Sequence, residues 1–160
     1  MNALLSQLRD ERVAQARLLH PLRAEVVRES FEWIGTPYTN CGYVKGPQGC
    51  VDCAMLLVGV FANAGLIPED FDPRPYNPDW HMHQSEERYL AGLENFAHQV
   101  GAPKPGDIAL YRFGKTASHG AIVISDDLIV HAHKHAGQVE LCERRLLEAE
   151  HFDSFWSVFS

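Results

Sequence analysis

Apolar positions change their period near the middle of this chain. In residues 2–19 they recur at helical spacing (Leu4, Leu5, Leu8, then Leu18 and Leu19) among charged residues, and Arg12 interrupts the stripe. A stripe this narrow predicts a peripheral helix over 1–20 rather than a central one. Pro21 suits the first turn of a second helix, whose apolar face is Leu22, Val26, Val27, Trp33 and Ile34. Gly35 ends that helix and Pro37 bars its continuation. Residues 36–51 contain Gly42, Gly46, Pro47 and Gly49 and read as an irregular loop. The run from Cys53 to Gly65 is apolar nearly all round, so it predicts a helix buried centrally, with Asp52 as N-terminal cap and Gly65 at its C-terminal end.

Pro68, Pro73, Pro75 and Pro78 predict an extended surface loop over 68–80. Ser85 is placed to cap a further helix with Glu86 and Glu87 in its first turn, continued by Tyr89, Leu90, Leu93, Phe96 and Ala97. The stretch 66–100 thus reads as a loop-plus-helix insertion. Beyond Pro103 come five short blocks rich in β-branched and aromatic residues: IALYRF, GAIVIS, LIVHA, VELC and FWSVF. Ser125-Asp126-Asp127 and Ala136-Gly137-Gln138 separate successive blocks as turns would. Helices first and strands afterwards predict one α+β domain over 1–160, its N-terminal helices packed on a mostly antiparallel sheet of about five strands.

A chain of 160 residues with 46% hydrophobic content has enough material for one real core. Its formal net charge of −7 argues against nucleic acid or an anionic membrane as the main partner, since both attract a basic face. No apolar run approaches the roughly 20 residues of a membrane span. The N-terminus lacks a basic segment followed by an apolar one, so no export signal is expected and synthesis in the cytoplasm is. Without export, Cys41, Cys50, Cys53 and Cys142 are expected as thiols rather than disulfides.

Candidate chemistry centres on one of those thiols. Cys53 falls in the first turn of the buried helix, where orphan N–H groups and the helix dipole favour a thiolate and are expected to lower its pKa. A cysteine there is also an ordinary core residue. His119 precedes one β block and His131 ends the next; an antiparallel pairing of those blocks brings both to one edge. A thiol, a base and a polar group that orients the base make up the general catalytic triad. Each histidine alone is more often a plain surface or strand-end residue, and their combination is what chance rarely produces.

Five segments in order resemble the successive motifs of the NlpC/P60 family of papain-like cysteine peptidases: Gly35-Thr36-Pro37-Tyr38, Val51-Asp52-Cys53, Pro105-Gly106-Asp107-Ile108-Ala109, Ser118-His119-Gly120-Ala121-Ile122, and His131-Ala132. The residues around Asp79-Trp80-His81 and the lack of a signal look most like the family's phage-tail branch. The resemblance implies a papain-like core, no cofactor, and hydrolysis of bacterial cell-wall peptides, typically at the γ-D-glutamyl bond to the diamino acid. Peptidoglycan stem peptides or muropeptides, and phage-tail structural proteins, would be its partners. It further implies Cys53 as nucleophile, His119 as base, His131 as the third polar residue, Tyr38 at the oxyanion site and Asp52 as a holder of the peptide's free amine. Tyr38 also reads as a packing aromatic, and Asp52 as a plain cap.

One departure is Ala54-Met55, where the family motif continues from the cysteine with Ser-Gly; a hydroxyl on the substrate side is missing. Three rival readings stand beside the peptidase. An amidase or other acyl hydrolase would use the same residues. A non-catalytic wall-binding module would leave the filled catalytic positions without a role. A metal site could draw on Cys50-x-x-Cys53 and His131-x-His133-x-His135, but a structural zinc site wants four ligands in paired spacing, which Cys41 and Cys142 do not complete. No metal is expected.

Overall fold

The computed structural model describes residues 1–76, 88–114 and 116–160. Helices α1 (Ala3–Leu19) and α2 (Pro21–Trp33) form an N-terminal hairpin, broken at His20. The extended backbone of His20 ends α1, and its ring accepts the Leu22 N–H to start α2, with Pro21 in the first turn. Only Val13 and Ala16 of α1 are buried, whereas Leu4 and Leu18 are exposed. Leu5 and Leu8 of the stripe are half-buried and pack against the core, so α1 docks through them together with Val13 and Ala16.

A two-residue hairpin, β1 (Tyr43–Val44) and β2 (Cys50–Val51), occupies the glycine-rich loop and leads into α3 (Cys53–Asn63). Met55 through Ala62 are all buried, as an all-round apolar helix requires. Gly59 lets α3 approach α2 closely: a Cβ there would lie 2.5 Å from the Trp33 indole. Helix α4 (Arg88–Glu94) follows. The Ser85 cap, Glu86, Glu87 and the segment around Asp79 lie outside the described residues.

The main sheet has six strands: β3 (His98–Val100), β4 (Ile108–Phe113), β5 (Thr116–Val123), β6 (Leu128–His133), β7 (Gln138–Glu143) and β8 (Phe152–Ser157), with α5 (Arg145–His151) before the last. Their order is β3-β8-β4-β5-β6-β7, and every pairing is antiparallel. The sixth strand is β3, in the stretch given to the insertion. It pairs with β8 because Ala97 already lies past the end of α4. One face of the sheet carries Ile108, Leu110, Ile122, Val130, Ala132 and Val139 into a large core with α2 and α3. The other carries Ala109, Tyr111, Ala121, Val123 and Ile129 into a smaller cluster with Leu147 of α5.

Two of the sequence segments act as joints. Gly35 and Tyr38 donate their N–H groups to Val139 and Gly137, and Val139 donates back to Thr36, so residues 35–38 run along the outer side of β7. The same segment bonds to Val51 through Pro37 and Thr39. The sheet edge and the start of α3 are thereby held together. At the other joint, Arg23 of α2 donates to Asp107 Oδ1 and to the Pro105 carbonyl, both at 2.9 Å, under the Phe159 ring. Asp107 Oδ2 also accepts the Lys104 N–H, closing the turn in which Gly106 takes a φ of +93°.

Both members of the Arg23–Asp107 pair are buried. Removing one leaves the other charged and unpaired. Asp107→Ala is expected to lower stability by about 3–5 kcal/mol, while Arg23→Met with Asp107→Leu is expected to lose much less. Urea unfolding of the three proteins checks this.

Candidate active site

Asp52 caps α3 and does more. Its Oδ1 accepts the Met55 N–H at 2.9 Å. Its Oδ2 accepts both the Cys41 N–H and the Tyr76 hydroxyl, each at 2.6 Å. The carboxylate is 2% exposed. A substrate amine would therefore meet an oxygen already bonded twice, beneath the Tyr76 ring. Cys41 itself has a φ of +59°, a left-handed conformation that aims its N–H at Asp52.

Cys53 follows, half-buried in the first turn of α3. Its Sγ lies 3.7 Å from the Ser118 carbonyl oxygen and accepts a hydrogen bond from the Gly120 N–H. The thiol thus sits against the backbone on both sides of His119. There is room because β5 and β6 are in register only at Ile122↔Val130 and Val123↔Ile129. Toward His119 the two strands part, and on the β4 side Tyr111 faces His119 while Arg112 faces Ala117, so Ser118 is an extra, bulged residue of β5.

His119 lies inside β5, not before it, because the strand starts at Thr116. His119 Nε2 is 2.9 Å from His131 Nδ1, and the rings meet edge to face. His131 is 1% exposed, and its Nε2 is 2.9 Å from Glu140 Oε1. The β6–β7 register explains this contact, since it sets His131 directly opposite Glu140. One set of tautomers satisfies the row. Glu140 accepts from His131 Nε2–H, His131 Nδ1 accepts from His119 Nε2–H, and His119 Nδ1 keeps its lone pair.

Burial governs the charges. It pushes the Cys53 thiol up to about 12, with the nearby Asp52 carboxylate adding to the effect and the backbone N–H groups opposing it. The lowered pKa expected from the helix start is therefore not found; loss of solvent outweighs the dipole. Burial, with His131 and His133 beside it, drives His119 well below the ordinary imidazole range. Burial also lowers His131, against the pull of Glu140. At rest the site holds a neutral thiol and neutral imidazoles.

Tyr38 is half-buried near the thiol, and its phenol pKa is raised by burial and then by the Cys53 and Asp52 charges. His133, expected past the strand end, is the last residue of β6 and stacks on His131 at 4.9 Å. The five residues singled out from sequence thus lie in one neighbourhood. Glu140 and Tyr76 went unnoticed. The signal for Glu140 was the hairpin between LIVHA and VELC, but its register depends on a turn whose length the sequence left open. On the far side of Ala54, a cavity of about 260 Å³ is lined by apolar residues including Leu57, Phe61, Phe71 and Leu93, with Tyr76 at its wall.

No family model matches the sequence, and no curated protein does. Solved structures do. The NlpC/p60 domain of the peptidoglycan hydrolase SagA superposes with a TM-score of 0.56 at 20% identity, covering 84% of this chain and 96% of that one. The fold is that of NlpC/P60 domains. The peptidoglycan hydrolase RipB of Mycobacterium tuberculosis gives 0.59 at 22% identity, over 92% of this chain and 68% of that one. The P60 domain of the M. avium subspecies paratuberculosis antigen MAP1204 gives 0.58 at 17% identity, over 89% and 96%. The NlpC/P60 fold accounts for the α3–sheet arrangement that brings Cys53 to β5.

The neutral resting pair has a pH signature. A base must be neutral to accept a proton, and a lowered pKa keeps His119 neutral to lower pH. The acid limb of kcat/KM is expected below the ordinary imidazole range. No descending limb is expected up to about pH 9, because the thiol holds its proton to about 12. A descending limb near pH 8 would instead report a thiolate–imidazolium pair.

Proposed function

We propose that this chain is a cysteine peptidase that hydrolyses bacterial cell-wall peptides through an acyl-enzyme. The observation that carries the reading is the Cys53 thiol lodged against the backbone beside His119, together with the row from His119 through His131 to Glu140. The peptidoglycan hydrolases that share the fold support the substrate class. In this reading Cys53 attacks the scissile carbonyl as His119 takes the thiol proton. The proton then passes to the leaving amine, and His119 activates water to release the acyl group. His131 holds the His119 ring and its tautomer, and Glu140 holds that of His131. Tyr38 stands on the side where the carbonyl oxygen develops charge.

The bond we propose is the γ-D-glutamyl–diamino acid bond of a stem peptide. Hydrolysis of the lactyl–L-Ala amide, or of another acyl bond, is a second reading. The apolar cavity beside Ala54 bears on the last of these, since it suits an apolar acyl or leaving group. Mass spectrometry of defined muropeptides after incubation separates the two by product mass. Free tripeptides are expected to be cut after D-Glu. If Asp52 also receives their amine, Tyr76→Phe frees its Oδ2 from one bond and is expected to lower KM for free over N-acetylated peptides. Equal KM values for the two would leave Asp52 as a cap alone.

The histidines are expected to be unequal. Cys53→Ala should abolish turnover. His119→Ala removes the acid–base function and is expected to cost on the order of 10²–10⁴ in kcat. His131→Asn, whose amide oxygen can accept from His119 Nε2–H, should outperform His131→Ala. His133→Ala and His135→Ala should stay close to the parent. The rank order of the initial rates is the test, and a silent His131→Ala would place the orienting group elsewhere.

A further inference from the structure

The side of His131 away from His119 holds a second set of donors. Cys142 Sγ lies 3.4 Å from His131 Nε2, Glu140 Oε1 lies 2.9 Å from it, and the three atoms are all within 4.8 Å of one another. Register produces the cluster. Glu140 is opposite His131, and Cys142, two residues on, is opposite Ile129, so all of these side chains share one face of the sheet. A tetrahedral zinc ion with bonds of about 2.0–2.3 Å keeps its donors roughly 3.3–3.7 Å apart. The pair Nε2–Sγ already has that spacing, Glu140 Oε1 needs to withdraw from Nε2 by a few tenths of an ångström, and its distance from Sγ is within 4.8 Å, which rotation of the carboxylate can close. One buried imidazole, one carboxylate and one thiol, the last two half-buried and reachable from solvent, make a borderline-soft N, O, S set that suits zinc.

We infer that His131, Glu140 and Cys142 form an inhibitory site for a zinc-like divalent cation, with water as the fourth ligand. Coordination sends the Cys142 thiol proton to solvent and takes the Nε2 lone pair of His131. The proton of His131 must then sit on Nδ1, and Nδ1–H donates to His119 Nε2. A neutral His119 that accepts at Nε2 carries its proton on Nδ1, the nitrogen that should receive the thiol proton. Binding thus inverts both tautomers and switches the base off without touching Cys53. The site stands on geometry alone; its inhibitory effect rests on the proposed role of His119.

The test uses the full chain after chelation. Cobalt(II) titration should give a thiolate-to-cobalt charge-transfer band at one equivalent, and calorimetry should give one zinc site. Cys142→Ser is expected to lose the band and to weaken zinc about tenfold or more, and Cys53→Ala is expected to keep both. Muropeptide hydrolysis by the parent should fall with zinc over the concentration range that fills the site. Cys142→Ser, relative to its own metal-free rate, should resist. A band that survives Cys142→Ser and vanishes in Cys53→Ala would overturn the site, since the metal would then sit on the catalytic thiol. A filled site without loss of rate would leave the metal site standing and overturn the tautomer coupling, while the His119→Ala rate tests the role of His119 by itself.

Discussion

One buried carboxylate holds the active region together. Asp52 sits where three stretches of chain converge, and each brings it a donor: the first turn of α3, the left-handed Cys41, and the Tyr76 hydroxyl. A carboxylate out of contact with water is tolerable only when its lone pairs are filled. The three donors therefore must stay in place while Asp52 stays charged. This constraint fixes the start of α3 against the loops that carry Cys41 and Tyr76, and with it the position of the Cys53 thiol. A serine could cap the helix, but it has no second oxygen with which to gather the other two.

The second requirement is an interruption. A fully paired sheet has no vacancy for a side chain at its backbone, because every N–H and C=O is taken by a neighbour. By parting from β6 after two registered pairs, β5 leaves the Ser118 carbonyl and the Gly120 N–H for the thiol. The bulge at Ser118, within β5 itself, supplies the local twist that such a departure needs.

Much of this was legible beforehand, for reasons that differ by residue. The apolar run from Ala54 to Ala62 admits no exposed face, so α3 had to be central. Asp52 and Gly65 are chemically suited to the ends they occupy. His119 and His131 could be brought together because antiparallel neighbours carry their ends to one edge. What stayed hidden depends on long-range register or on desolvation. Glu140 is nine residues from His131 and meets it only if the hairpin turn has one particular length. The short strand β3 has no period to reveal it and is made by its partner β8. The thiol's electrostatics were misjudged because a helix terminus is visible in sequence whereas the exclusion of water around it is not. The narrow stripe of α1 read as a peripheral helix, and Leu4 and Leu18 do face solvent while Leu5 and Leu8 pack on the core.

The segment from Gly35 to Tyr38 has a consequence for how any ligand is read. It bonds to Gly137 and Val139 and so covers the start of the outer side of β7. The opposite margin is β3, only three residues long. An extended peptide is kept by the covering segment from joining the start of β7 as an extra strand, and so is a second copy of the chain. Around the parted strands recognition falls to side chains, where each substitution alters it without disturbing a ladder.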